Sequence, residues 1–428
     1  MRRQERANVN SICMLSIHGY VDPLPQLGRT DTGGQTLYVL RLAKALSGYG
    51  IKIDIYTRWF ERSKASIDPL PGSPEVRIIR IPAGPYRFIP KEKIYGVLPE
   101  LTQNMIEFIR RNNLHYDLFH GHYVDGGIVA IDVGKALGKP TFFTAHSLGA
   151  WKREQMGGDP EKMEKRYNFS HRIREELRIF NSVRAQIVQT KIQKNKLIEL
   201  YGFRSKNTHV IRSGVDVQTF RPEDGRERRR LAGLPSRYIF CLGRIDPNKG
   251  HDLLLNAFDL VRKEIADVHL LIGGGSPRPL QGEMKVIENM KRIIEERGMH
   301  ARVHIVGYIP DEQLAPYYQG AELFVLPSTY ELFGITVLEA MACGTPVVAS
   351  KYAGIRTVIN SGKNGVLVDP RDAEGLAAAM IQILKDKKQA ERIGQAGHRL
   401  VRRSYTWKAV ASKHIKCYEK SLNVQHSL

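Results

Sequence analysis

Two carboxylates and two cations in the second half of the chain have the types and spacing that chemistry requires. Glu331 and Glu339 flank Phe333-Gly334 in TYELFGITVLEAMACGTP (329–346), and Arg244 and Lys249 punctuate CLGRIDPNKGHDLLL (241–255). If the segment after Phe333 is helical, eight residues at about 1.5 Å rise set the glutamates roughly 12 Å apart. Paired glycosidase carboxylates need roughly 5–9.5 Å, so an acid/base couple is disfavoured. Between the glutamates, the backbone N–H groups of Phe333, Gly334, Ile335 and Thr336 open the helix, which makes a phosphate seat. An extended ligand with hydroxyls at its ends and phosphate in the middle fits this arrangement, as a nucleotide sugar would. The competing reading is two solvated charges. Arg244 supplies a planar donor fork and Lys249 a mobile point charge, which together could clamp a diphosphate. As a plain solvated turn they would do nothing. No Asp-x-Asp occurs, so charge compensation by these cations would stand in for a metal.

The first half offers glycines and histidines. DTGGQTLYVL (31–40) places Gly33 and Gly34 between a loop and a helix, where backbone N–H groups can approach an anion. Neither a P-loop nor an ordered GxGxxG is present, which weakens an ATPase or a dinucleotide oxidoreductase. His18, His122 and His146 each follow an apolar run, and His146 shares its loop with Ser147 and Lys152. A lone histidine there is more often structural; no HExxH or GxSxG occurs to make a zinc site or a serine hydrolase.

These residues need elements to hold them. Short apolar runs such as SICMLSIHG, IKIDIYTR and VRIIRIP alternate with amphipathic segments, and RYIFCLGRI, DVHLLIGGG, RVHIVGYI and AELFVLPS repeat the alternation. Such strands belong to parallel sheets covered on both faces, so the fold class is α/β with two doubly wound domains. The 428 residues are too many for one ordinary core. The polar, proline-containing stretch VIRSGVDVQTFRPEDGRERR (210–229) marks the boundary. The expected domains are 1–214, 215–403 and a closing helix over 404–428 that packs back toward the first domain. Ligands are expected in a cleft at the carboxyl ends of the strands.

Composition narrows the class further. No apolar stretch reaches the length of a membrane span, and MRRQERANVNSICML lacks a signal-peptide pattern, so a cytoplasmic location is expected. Cys13, Cys241, Cys343 and Cys417 have no CxxC spacing and read as reduced thiols, with no structural metal. The net charge of +21 suits nucleic acid, an anionic surface or phosphorylated small molecules. The basic runs at 225–233 and 399–404 lack interleaved aromatics and read as solvated helix faces rather than as a nucleic-acid groove.

Taken together, YELFGITVLE, GRIDPNKG, SGVDVQTFRP and AELFVLPS resemble retaining glycosyltransferase family four, with the GT-B architecture, over most of the chain. DTGGQ, HSLGAWKREQM, IPKEKIYG and NFSHRIREEL resemble its branch of mannosylfructose-phosphate and sucrose-phosphate synthases. The resemblance implies two Rossmann-like domains facing across a cleft. It places Glu339 on the ribose, Glu331 on the hexose hydroxyls, and Arg244 and Lys249 on the diphosphate. Gly34, Gly243, Phe333, Gly334, Ile335 and Thr336 would complete the donor site, with the base near Tyr308 and Ile309. Gly33, Gln35, Lys91, His122, Ser147, Lys152 and Arg172 would bind fructose 6-phosphate, and His146 would contact the transferred sugar. Leu332 and Ser213 depart from the family's usual proline and asparagine without removing a charge.

The implied reaction moves a hexosyl group from GDP-mannose or UDP-glucose to fructose 6-phosphate with retention. His146, Arg244, Lys249 and Glu331 would be catalytic. The nucleotide sugar is a co-substrate; no cofactor is required and magnesium is optional. Coupling to a sugar phosphatase fits a phosphorylated product. The alternatives are transfer to free fructose, as in a sucrose synthase, or to another sugar; a nucleotide-sugar 2-epimerase or a basic nucleic-acid-binding protein is remote.

Overall fold

The computed structural model describes residues 9–24, 33–204, 206–224, 233–277, 279 and 281–423. The basic stretch 225–232 and Asp31-Thr32 of the glycine loop lie outside these residues. The chain forms two compact units, Met1–Arg212 with Trp407–Leu428, and Ser213–Thr406. The breaks therefore fall at 212/213 and 406/407, against 214/215 and 403/404 read from the sequence.

The first unit is built on eight strands: β1 (Ser11–Leu15), β2 (Lys52–Trp59), β3 (Ile67–Leu70), β4 (Ser73–Pro82), β5 (Leu118–His122), β6 (Thr141–Thr144), β7 (Ala185–Val188) and β8 (Thr208–Val210). Their order is β3-β4-β2-β1-β5-β6-β7-β8, with only β3 antiparallel, to β4. Apolar runs form these strands because both faces are covered; all four residues of β6 and of β7 are buried. The chain runs outward from β1 in both directions, so a crevice forms at the carboxyl ends of β1 and β5. The last helix, Trp407–Asn423, packs on the helix Gly34–Ser47 and puts Val410, Ala411, Cys417 and Tyr418 into the core with Ile12, Phe142 and Ile187.

The second unit has six parallel strands: β9 (Tyr238–Leu242), β10 (His269–Gly273), β11 (Val303–Gly307), β12 (Leu323–Leu326), β13 (Val347–Ser350) and β14 (Val366–Val368). Their order is β11-β10-β9-β12-β13-β14, which places the switch between β9 and β12. One apolar cluster, around Phe240, Phe324 and Leu338, fills one side of this sheet, and another, around Leu254, Phe258 and Met380, fills the other. The run at 399–404 closes the helix Lys387–Ser404; Val401 is buried while Arg399, Arg402 and Arg403 face solvent, as a solvated basic face requires. All four cysteines are buried free thiols, and no helix among the described residues is long and apolar enough to cross a membrane.

Candidate active site

In the second unit, the loops after β9 and β12 meet at the topological switch. Gly243 and Arg244 leave β9, and Pro247–Lys249 forms a single 3-10 turn started by Asp246, whose carboxylate accepts the Asn248 N–H at 3.0 Å. Gly250 then adopts φ +68°, and a Cβ there would lie 2.4 Å from the Pro327 carbonyl oxygen, so only glycine lets this turn lie against the end of β12. The Asn248 carbonyl accepts the Thr329 N–H at 2.9 Å and ties the two loops together. His251 donates from Nε2 to the Arg244 carbonyl at 3.2 Å and fixes that backbone.

Tying the loops brings Lys249 Nζ into an ion pair with Glu331 Oε2, the two side chains being 11% and 22% exposed. Burial would raise the Glu331 pKa, but Lys249, then Arg244 and the Phe333 N–H, outweigh it and hold the carboxyl below its usual range. Glu331 is thus an ionised acceptor. Sequence reasoning assigned Glu331 and Lys249 to different parts of a ligand; the structure makes them partners. Glu339 sits apart, buried in the helix Ile335–Ala342, where it accepts the Tyr318 hydroxyl at 2.8 Å. The glutamates have separate environments, as their spacing requires.

The helix between them starts at Ile335, with Gly334 at φ +99° and no side-chain cap. Ile335 and Thr336 are half-buried at its open end, beside buried Phe333. Tyr308 and Ile309 follow β11, on the far side of β10 from β9; Tyr308 is half-buried and Ile309 is buried.

The first unit gathers most of its sequence candidates at two places. His18, His122 and His146 follow or end β1, β5 and β6, three adjacent strands. His146 has φ +53°, and its Nε2 lies 3.0 Å from His122 Nδ1. His122 is fully buried, and among the described residues its Nε2 has no partner. As the last residue of β5 it is enclosed by the sheet, next to His146. His120 bridges Tyr418 Oη (2.8 Å) and Thr144 Oγ1 (2.8 Å). His414 donates from Nδ1 to the Val410 carbonyl at 2.9 Å, which leaves Nε2 to accept the Tyr38 hydroxyl at 3.2 Å. Burial pushes His120 and His122 well below the normal histidine range, His146 to about 3 and His414 to about 4.

The second place is a concavity lined by Lys91, Lys152 and Arg172, one carboxylate, Glu92, and the rings of Tyr95, Tyr123, Tyr167 and Phe169. Arg172 is buried; Nε donates to Glu176 at 2.8 Å and Nη2 to Ser147 Oγ at 2.8 Å, and its guanidinium lies 4.6 Å from the Tyr123 ring centre. Nη1 is left uncommitted among the described residues. Lys152 Nζ lies 5.0 Å from the Tyr167 ring centre, and Lys91 Nζ is 3.3 Å from Glu92. The helix Gly34–Ser47 starts at Gly33 without a side-chain cap, and in its first turn Gln35 Nε2 is buried without a hydrogen-bond partner among the described residues. A buried orphan donor of this kind is costly unless a ligand or water meets it.

Tyr123, Tyr95 and Glu176 are site residues that sequence reasoning passed over. Glu176 had a signal, four residues after Arg172 on one helix. Tyr123 lay inside the motif HGHYVDGG without a feature to separate it from core aromatics. Among the described residues no cluster of three His, Cys, Asp or Glu could hold a metal ion.

Residues 226–400 match the family model described as glycosyl transferases group 1, and residues 32–219 match glycosyltransferase family 4. The chain is 38% identical over 411 residues to mannosylfructose-phosphate synthase of Agrobacterium fabrum, covering 94% of this chain and 89% of that one. It is 31% identical over 410 residues to D-inositol 3-phosphate glycosyltransferase of Corynebacterium diphtheriae, covering 94% and 92%. The structure is similar to that of a sucrose-phosphate synthase from Thermosynechococcus elongatus, with a TM-score of 0.82 and 30% identity over 97% of this chain and 100% of that one. WaaG, a glycosyltransferase of lipopolysaccharide biosynthesis, shares the fold at 16% identity and a TM-score of 0.68, covering 95% of this chain and 98% of its own.

Proposed function

Because the chain belongs to glycosyltransferase family 4 and has the GT-B fold of its relatives, we propose that it transfers a hexosyl group from a nucleotide sugar to fructose 6-phosphate. The observation that carries this reading is the concavity where Lys91, Lys152 and Arg172 converge. Three cationic side chains against the one carboxylate of the lining, Glu92, leave a hollow that suits a phosphate monoester better than a neutral sugar, and an arginine fork adds directionality. The names of the similar proteins support it, since each carries a phosphate on a sugar or cyclitol. A cyclitol phosphate is the second reading, favoured by the inositol-phosphate relatives.

On the donor side, Arg244, Lys249 and the open helix end at Ile335 would meet the diphosphate and stabilise the charge that develops as it departs. Glu331, kept ionised, would take hydroxyls of the hexose and Glu339 the ribose, with Gly34 and Gly243 close to the phosphates and Tyr308 and Ile309 near the base. His146, kept neutral by burial, would hydrogen-bond the transferred sugar without adding a cation beside an oxocarbenium-like centre. Retention would follow from same-face attack, the departing phosphate taking the acceptor proton. A product that keeps the acceptor phosphate suits a sugar phosphatase acting next. No cofactor is needed in this scheme, and magnesium is optional.

Donor identity turns on GDP-mannose against UDP-glucose. Incubating the protein with fructose 6-phosphate and GDP-mannose, UDP-glucose or ADP-glucose separately should give, with one of the first two, a disaccharide phosphate detectable by mass. Nucleoside diphosphate should appear in equal amount. Absence of that product with every donor would overturn the reading.

A further inference from the structure

We infer that His122 is a positioning residue for His146: it donates from Nδ1 to His146 Nε2 and so fixes that imidazole as the tautomer with its proton on Nδ1. His146 then offers a donor, not an acceptor, to the transferred sugar. This inference rests on the hexosyl-transfer reading above. The two nitrogens lie 3.0 Å apart, so one of them carries the shared proton. His122 is fully buried, and among the described residues its Nε2 meets no partner. The ring beside it, His120, with centres 4.2 Å apart, has both nitrogens committed, Nδ1 to Tyr418 Oη and Nε2 to Thr144 Oγ1. A proton on His122 Nε2 would therefore be a buried donor without an acceptor, and orphaned buried N–H groups are rarer in folded proteins than unmatched acceptors. His122 carries its proton on Nδ1. Burial keeps both rings neutral, and a neutral imidazole has one N–H. His146 accepts at Nε2, so its own proton sits on Nδ1.

The backbone and a second ring hold His146 in this pairing. Tyr123, directly after His122, has φ +65°, and His146 has φ +53°. For bulky residues this region is strained and persists where surrounding structure enforces it, commonly at functional sites. His146 is the centre of a three-residue turn in which the Ser147 N–H donates to the Ala145 carbonyl at 2.5 Å. Tyr38, on the helix Gly34–Ser47, meets the His146 ring edge-on with centres 5.0 Å apart. Tyr38 is itself pinned by the last helix, through its hydroxyl on His414 and through the Trp407 ring at 5.3 Å. An N–H from β5 on one side and an aromatic ring on another thus fix a half-buried imidazole. Its Nδ1 is engaged by no described residue. A histidine pair that only filled the core would need neither the strained turn nor a ring left half open.

The test combines ring spectroscopy with transfer kinetics on the full chain. Two-bond proton–nitrogen correlations of ¹⁵N-histidine-labelled protein distinguish Nδ1–H from Nε2–H rings, and the signals are assigned by their loss in His122→Asn and His146→Asn. Both rings should be Nδ1–H; an Nε2–H signal for His146 overturns the inference. In kinetics, His122→Phe keeps a ring but removes the donor, and kcat should fall about 5–10-fold, the worth of one neutral hydrogen bond, while both KM values hold. His122→Asn places an amide N–H where Nδ1–H was and should keep kcat close to the unmodified value, although it fills the core less well. A structural role predicts the reverse order, with the smaller asparagine the worse variant, and that order overturns the inference. Unchanged kcat in His122→Phe overturns it as well and leaves the hexosyl-transfer reading intact. Absence of transfer by the unmodified protein removes that reading and with it the sugar as the partner of His146, whereas the ring spectrum still decides the pairing.

Discussion

Lys249→Met is expected to lower turnover by about 10²–10³-fold, the cost of removing one positioned donor from developing negative charge. The same change strands the Glu331 carboxylate, which is 22% exposed and paired to Lys249. Breaking a buried pair by deleting one partner typically costs about 3–5 kcal/mol, whereas deleting both can be nearly neutral. Stability and catalysis can therefore be separated. Lys249→Met with Glu331→Gln should regain most of the melting temperature lost by the single change and none of the turnover. Recovery of turnover in the double variant would show that Lys249 serves only to neutralise Glu331. Normal turnover in the single variant would remove it from the chemistry.

Acid should unfold the first unit well before ordinary carboxylate titration would. His120, His122 and His414 are buried and His146 is half-buried, and all four are held neutral, with His146 at about 3 and His414 at about 4, and the other two well below the normal range. An unfolded histidine titrates near 6.5. Below that pH the unfolded chain binds protons that the folded chain refuses, so stability falls as pH falls. Each histidine contributes about 1.4 kcal/mol per pH unit, and four together about 5.6 per pH unit, comparable to the whole stability of a typical domain. The three tryptophans, Trp59, Trp151 and Trp407, all belong to the first unit, so tryptophan fluorescence reports on it alone. Denaturant midpoints followed this way should drop steeply between about pH 6 and pH 4.5. A flat profile over that range would contradict the buried-histidine account.

What the sequence disclosed follows from where its signals come from. Apolar runs alternating with amphipathic segments are local, and both parallel sheets were legible from them. The glycines before Gln35 and Ile335, and the cations leaving β9, were legible because strand ends and helix starts carry compositional marks. The Lys249–Glu331 pair joins residues 82 positions apart, and no local pattern announces it. His120 meets Tyr418 across 298 positions, so the histidine cluster takes its shape only when the last helix returns to the first unit. His122 was legible as a strand end, but its pairing with His146, 24 positions away, was not. The strained backbone of Tyr123 has no signature in residue type at all.

The most direct test of hexosyl transfer to a sugar phosphate is acceptor discrimination with the preferred donor. The kcat/KM for fructose 6-phosphate should exceed that for free fructose by at least about 100-fold, since charged hydrogen bonds of about 1.5–3 kcal/mol each are lost with the phosphate. Equal values for the two acceptors would contradict the account.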